Sequence, residues 1–241
     1  MKYKGFTLAE ILITLAIIGV VSALTIPTLS TTYKKKVFAT SLQVAKADFE
    51  GAMHRMLERE GVDNLFDTNA WRASINGNNY VLNANSADTV KEAFRDNLTI
   101  NLPIQSFSNM ENIKLIDGTD FAIEDPIPVT FTTEKGVRYS IQMNETRISL
   151  AETTAYERGT GYLSQAATEV YIDVNGEAGP NRLGRDIFYY ELSADGRLYP
   201  MGGRDELAQR DVGYSDPSNN CFTVGDTCAA YLAENNYNMD Y

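Results

Sequence analysis

One histidine in 241 residues leaves little room for metal or acid–base chemistry. His54 has no second histidine with which to share a zinc ion, and a Ser-His-Asp arrangement would have to use His54 itself. The two cysteines, Cys221 and Cys228, are half of what a structural zinc site takes, and no histidine lies near them in sequence. Basic residues are outnumbered, 21 against 32 acidic ones, for a formal net charge of −11. A nucleic-acid binder must present a basic patch that displaces counterions from phosphates. The one dense basic cluster is Lys34, Lys35 and Lys36, so composition gives nucleic-acid binding no support. Gly159-Thr-Gly161 and Gly202-Gly203 open neither a P-loop nor a dinucleotide fingerprint. Acidic pairs are plentiful, which leaves a carboxylate-only hydrolase as the one catalytic class that inspection does not remove. The chain is otherwise expected not to be an enzyme, and to need neither cofactor nor metal.

Long apolar runs are equally scarce, and the single one present carries most of the information. Residues 11–29 are apolar over a length that suits a bilayer crossing, which takes about 20 helical residues. A secretory signal would have a shorter apolar core with its cleavage site after it. Here a short basic stretch, Met1 to Gly5 with Lys2 and Lys4, comes first, and Phe6-Thr-Leu-Ala-Glu10 leads into the run. Glu10 is out of place by composition, because a carboxylate deep in a bilayer costs about 3 kcal/mol. It either snorkels to the interface or has a function. Lysines flank both ends of the run, so charge alone does not orient the span. The cysteines do. Gly225 and Asp226 suit a turn that brings Cys221 and Cys228 together, and a disulfide there places the C-terminal part in an oxidising compartment. Two free buried thiols are the alternative.

Lys4-Gly5-Phe6-Thr-Leu-Ala-Glu10 followed by an apolar run resembles the class III leader of type IV prepilins and type II secretion pseudopilins. The resemblance covers about the first 30 residues. It implies cleavage after Gly5 by a prepilin peptidase, N-methylation of Phe6, and pairing of Glu10 with the terminal amine of a neighbouring subunit. Gly19 and Pro27 match positions where family helices bend or lose hydrogen bonds in the filament. Pro27 is expected to kink the helix near Ala23, since it lacks the amide hydrogen that Ala23 would accept. Implied partners are the peptidase, other pilin subunits, the inner-membrane assembly platform and, before assembly, the lipid bilayer. The implied location is the bacterial inner membrane, crossed once with the N-terminus cytoplasmic and the head outside, then a filament in the periplasm or at the cell surface. Pilus or pseudopilus subunit is the leading function. A minor pilin that binds a surface or DNA through exposed tyrosines (Tyr156, Tyr162, Tyr214, Tyr231, Tyr237) is an alternative, and so is a simple single-span anchored protein.

Beyond the lysines, Phe38, Leu42, Ala45, Phe49, Ala52 and Met56 recur at steps of three and four, which predicts an amphipathic continuation to about Gly61. The whole helix would then be about 55 residues, near 80 Å at about 1.5 Å per residue. The expected organisation is a leader over 1–5, a helix over 6–60 with its membrane part at about 8–29, and a head over 61–241. A second helix is expected over Ser86–Leu98 and a loop around Trp71. Strand hairpins are expected around Asp117-Gly118 and Glu134-Lys-Gly136, with further strands over Glu169–Val174, Asp186–Leu192 and Arg197–Tyr199. The predicted fold class is α+β, a long N-terminal helix packed on a mostly antiparallel sheet of four to seven strands. Asp173, Asn175 and Glu177 begin like a calcium loop, but Ala178 and Gly184 break the twelve-residue pattern. The segment reads better as a Gly/Pro/Asn-rich connection, with an ion as the alternative because some pseudopilins hold calcium near the C-terminus. The run from Asp173 to Phe188 also resembles a segment of some bacterial pilin-like proteins. The Cys-bounded loop resembles the disulfide-closed region of type IV pilins, at a shorter spacing.

Overall fold

Two residue patterns written end to end produce one continuous helix, α1 (Leu8–Glu60), in a computed structural model. The structure describes residues 5–65, 68–69, 92, 95–96, 102–121, 123, 129–143, 168–193, 195–201 and 217–241. The chain divides into two compact units, Met1–Val37 and Phe38–Tyr241.

In the first unit the helix is long and apolar enough to cross a membrane, and none of its most apolar stretch is buried. Ile11, Leu12, Ile13, Leu15, Ile17, Ile18, Val20 and Val21 all lie in the open. Threonine hydroxyls in and just beyond this stretch are satisfied locally. Thr14 donates to the Ile11 carbonyl at 2.9 Å, Thr25 to Val21 at 2.9 Å, and Thr31 and Thr32 both to Thr28 at 2.9 and 3.0 Å. Bonding back to the helix's own carbonyls is how hydroxyls become compatible with a medium that offers no water. Pro27 sits inside α1 without ending it.

In the second unit the remainder of α1 carries a stripe of buried residues: Ala39, Leu42, Ala45, Phe49, Ala52, Met53 and Met56. Burying a side chain of the size of Leu, Phe or Met stabilises by about 1.5–3 kcal/mol, so this one face fixes where the sheet must lie. The helix stops at Gly61, whose φ of 67° no ordinary side chain favours, and the Val62 amide bonds back to Leu57.

The main sheet has six antiparallel strands, each hydrogen-bonded to the next in the order that follows. These are β1 (Ile104–Phe107), β4 (Val129–Thr133), β5 (Arg138–Met143), β6 (Thr168–Asp173), β7 (Ile187–Leu192) and β8 (Leu198–Pro200). From β4 onward it is a meander in which every strand pairs with its successor. Alternation along each strand assigns the two faces. Phe131, Tyr139, Ile141, Val170, Ile172, Phe188, Tyr190 and Leu192 form one core with the α1 stripe. Tyr139 is its peg: it stacks on Phe49 and Phe131 and donates its hydroxyl to the Ala45 carbonyl at 3.0 Å.

The opposite face holds a smaller core of Ile113, Tyr171, Leu183, Ile187 and Tyr189. Over it lies a separate hairpin, β2 (Ile113–Lys114) and β3 (Asp120–Phe121), turned at Asp117-Gly118. Asp117 holds that turn by accepting the Thr119 amide and hydroxyl at 2.8 Å each. Strand β7 is consequently buried on both faces. The hairpins and strands expected from sequence are present within a residue or two of their predicted bounds. Strand β1 was not expected. Of the second helix expected over Ser86–Leu98, Glu92, Arg95 and Asp96 are described and helical; its other residues, and Trp71, lie outside the described residues.

The C-terminal segment also departs from expectation. The expected turn at Gly225-Asp226 is present, but two short helices, not expected, lead into and out of it and carry the cysteines: α2 (Pro217–Thr223), with Cys221, and α3 (Cys228–Glu234), which Cys228 opens. Pro217 opens α2 at the first helical position, where its missing amide hydrogen costs nothing. Cys221 and Cys228 form a disulfide with their Cα atoms 4.4 Å apart, and both are fully buried in the main core.

Candidate functional site

The first turn of α1 gathers the residues that the leader resemblance singles out. Gly5 and Phe6 precede the first helical residue, and both are exposed. The peptide bond between them therefore lies in open, non-helical chain, the form in which a peptidase can engage it. Thr7 and Glu10 close the helix start reciprocally. The Thr7 amide donates to Glu10 Oε2 at 2.7 Å, the Thr7 hydroxyl to the same oxygen at 2.9 Å, and the Glu10 amide to Thr7 Oγ1 at 3.3 Å. This is a capping box, in which a side chain three residues in satisfies the amide that the helix leaves open. In the single chain, then, Glu10 has work to do within its own first turn. The Thr-x-x-Glu spacing was legible, and Thr7 is the site residue that sequence reasoning overlooked. Gly19 is exposed with nothing within 4 Å of where a side chain would begin.

The second cluster surrounds the connection between β6 and β7. Arg138, on β5, reaches across to Asp173 with Nε at 2.9 Å and Nη2 at 2.6 Å, and gives Nη2 also to the Gly176 carbonyl at 2.8 Å. Both side chains are buried, Asp173 completely. Asp186, at the other end of the loop, accepts the Asn181 and Arg182 amides at 2.9 and 2.7 Å. The two carboxylates at the loop's ends are thus committed to a guanidinium and to backbone amides. Among the described residues no group of three or more His, Cys, Asp or Glu side chains is arranged to hold a metal ion.

Burial pushes the Asp173 carboxyl up to about 6, against the pull of the Arg138 hydrogen bonds and charge, and Asp186 pushes the same way as burial. A carboxyl raised in this way binds its proton more readily in the folded than in the unfolded chain. Its contribution to stability is full below about pH 4 and is lost as pH rises through about 6. Relative to Asp173→Asn, which cannot titrate, the wild type is expected to gain about 2–3 kcal/mol between pH 7 and pH 4. Urea unfolding of both proteins at each pH measures this. A difference that stays flat across the window would show that the carboxyl is not shifted.

The disulfide turn is seated on the same loop. A Cβ on Gly184 would lie 2.6 Å from Cys228 Sγ, and one on Gly225 would run into the Leu183 carbonyl oxygen. Both glycines have positive φ, 79° and 100°. The Ile116 amide bonds to the Val224 carbonyl at 3.1 Å, so the hairpin over the smaller core is fastened to this turn as well. Arg185 covers the Tyr241 ring and donates to its carbonyl. Of the tyrosines proposed as an exposed binding surface, Tyr231 and Tyr237 are partly buried and pack on the core; Tyr231 meets Phe222 and Tyr241 edge to face at 5.2 and 5.6 Å. Tyr156, Tyr162 and Tyr214 lie outside the described residues. His54 is exposed on α1, beside a shallow cleft formed with Lys46, Glu50, Gly51 and Arg197.

No curated protein and no solved structure matches this chain. Its N-terminus does match a family model: residues 1–26 fit the prokaryotic N-terminal methylation motif, the motif of the class III leader of type IV pilins and pseudopilins.

Proposed function

We propose that this protein is a structural subunit of a type IV pilus or a type II secretion pseudopilus. Prepilin peptidase removes residues 1–5 by cutting after Gly5, and Phe6 becomes the methylated first residue. Before assembly the chain rests in the inner membrane through about residues 8–29, with its N-terminus cytoplasmic and the head over 61–241 outside. The Cys221–Cys228 disulfide supports that orientation, because it belongs to an oxidising compartment. The assembly platform then lifts the subunit into a filament with other pilin subunits, through α1, with Glu10, Gly19 and Pro27 as its contact and adjustment points.

One observation carries this reading. Directly behind a prepilin leader, every large apolar side chain of α1 from Leu8 to Leu29 is left exposed in the single chain. Such a surface is stable only in lipid or against other helices of its kind. The leader points to a structural role, and the fold needs no chemistry of its own to fulfil it. Intact mass and N-terminal sequencing of protein isolated from membranes test the proposal. The expected product begins at Phe6 and carries one added methyl group. A product that retains Met1 and stays monomeric would overturn it.

A further inference from the structure

We propose that Tyr33, Lys34, Lys35 and Lys36 form a collar that binds anionic phospholipid headgroups where α1 leaves the bilayer. The inference rests on the reading of residues 8–29 as a membrane span.

Position is the first argument. From Leu8 to Leu29 the helix rises about 32 Å at roughly 1.5 Å per residue, close to the ~30 Å hydrocarbon thickness of a bilayer. Lys34 lies five residues past Leu29, about 7 Å further along the axis. That depth is the headgroup layer. Tyr33 is 68% exposed and stands at the boundary where amphipathic rings collect.

The arrangement around the axis is the second argument. Consecutive helical residues are separated by about 100°, so these four fan over roughly 300° of the circumference within a rise of about 4.5 Å. The protein-facing stripe further along the same helix, from Ala39 to Met56, instead repeats at three and four and keeps to one side. A partner protein approaches from one direction and is met by a stripe. A plane of headgroups surrounds the helix and is met by a ring.

Charge is the third. Sixteen of the 21 Lys and Arg residues and 31 of the 32 Asp and Glu residues fall within Phe38–Tyr241, which gives that unit a formal charge of −15. An anionic membrane surface repels such a unit. Lys34 to Lys36 are the one run of three consecutive basic residues in the chain, and they come at the join between it and the apolar helix. Each lysine held near an anionic surface contributes appreciably, and more so at low salt.

The test uses the full chain reconstituted into bilayers of phosphatidylcholine with 30% phosphatidylglycerol. The bilayers are floated, the protein is extracted gently, and its co-purifying lipid is quantified. Lys2 and Lys4 are present in every protein compared, so differences report the collar. The wild type is expected to carry phosphatidylglycerol several-fold above the bulk ratio in low salt, and closer to bulk in high salt. Lys34→Gln/Lys35→Gln/Lys36→Gln should lose most of that enrichment, whereas the triple Arg variant should keep it. Gln sustains helices as well as Lys does, so helix loss does not confuse the result. A wild type at the bulk ratio, or a triple Gln variant that stays enriched, would overturn the collar alone. Crosslinks from Lys34–Lys36 to acidic residues of a second copy, in place of lipid enrichment, would assign the collar to a neighbouring subunit and also overturn it. A chain that fails to float with the bilayers would overturn the span and the collar together.

Discussion

Glu10→Ala is expected to leave the protein in the membrane and to abolish its filaments. The apolar helix, not this carboxylate, provides the affinity for lipid, so immunoblots of membrane fractions should show no loss. Assembly is different. When helices bundle, a carboxylate at this depth loses its access to water, and an unpaired buried charge costs about 3–5 kcal/mol. In the proposed filament, the new ammonium of a neighbour's Phe6 is the partner. A subunit arriving out of register would bury Glu10 without it, so the pair selects register more than it adds net stability.

The capping box adds a second role that a single substitution would confuse with the first. Alanine removes both the charge and the bonds to Thr7. Glutamine keeps a side chain that can close the same box, because Glu and Gln serve equally at that position, but it carries no charge. If register selection by charge is the function, Glu10→Gln should fail to assemble as completely as Glu10→Ala, judged by electron microscopy of sheared filaments. Normal filaments from Glu10→Gln would assign the residue to shaping the first turn. Normal filaments from Glu10→Ala would remove it from assembly altogether.

Arg138→Ala should strongly destabilise the head. It leaves Asp173, with 0% exposure, facing Asp186 without a counter-charge. Loss of one member of a buried pair costs about 3–5 kcal/mol, much of a domain's margin. The loss should be smaller at pH 5 than at pH 8, since Asp173 can then take up a proton. Adding Asp173→Asn to Arg138→Ala should recover a substantial part, because the stranded charge is gone. Urea denaturation of the three variants measures both effects. A double variant no more stable than Arg138→Ala would mean that the guanidinium acts through Gly176 and packing, not through the ion pair.

Much of this architecture could be read from residue order. The run over 11–29 and the stripe that follows are both periodic over many turns, and long periodic signals survive tertiary context. The turns at Asp117-Gly118, Glu134-Lys-Gly136 and Asp195-Gly196 announced their hairpins because a tight reversal restricts residue type locally. What escaped notice depends on partners distant in sequence. Strand β1 is four residues with apolar groups only at its ends, and it becomes a strand by pairing with β4. Helices α2 and α3 have seven residues each, below the length at which a helix is stable alone, and they exist by packing and by their disulfide. Arg138 and Asp173 lie 35 positions apart, and nothing in either neighbourhood names the other. Tyr231 and Tyr237 looked like surface residues by composition and are partly packed instead. Pro27 removes one hydrogen bond, and the turns on either side carry the helix past it.

The meeting of Gly184 with Gly225 sets a limit on how this head can diverge. A methyl group at either position would prise the Cys221–Cys228 corner from the strand connection beneath it and, through Val224, loosen the hairpin on the far face. Exposed positions on the hairpins can drift with little penalty. These two hydrogens cannot, and an engineer grafting a foreign epitope onto this scaffold should leave both glycines alone while treating the hairpin rims as free ground.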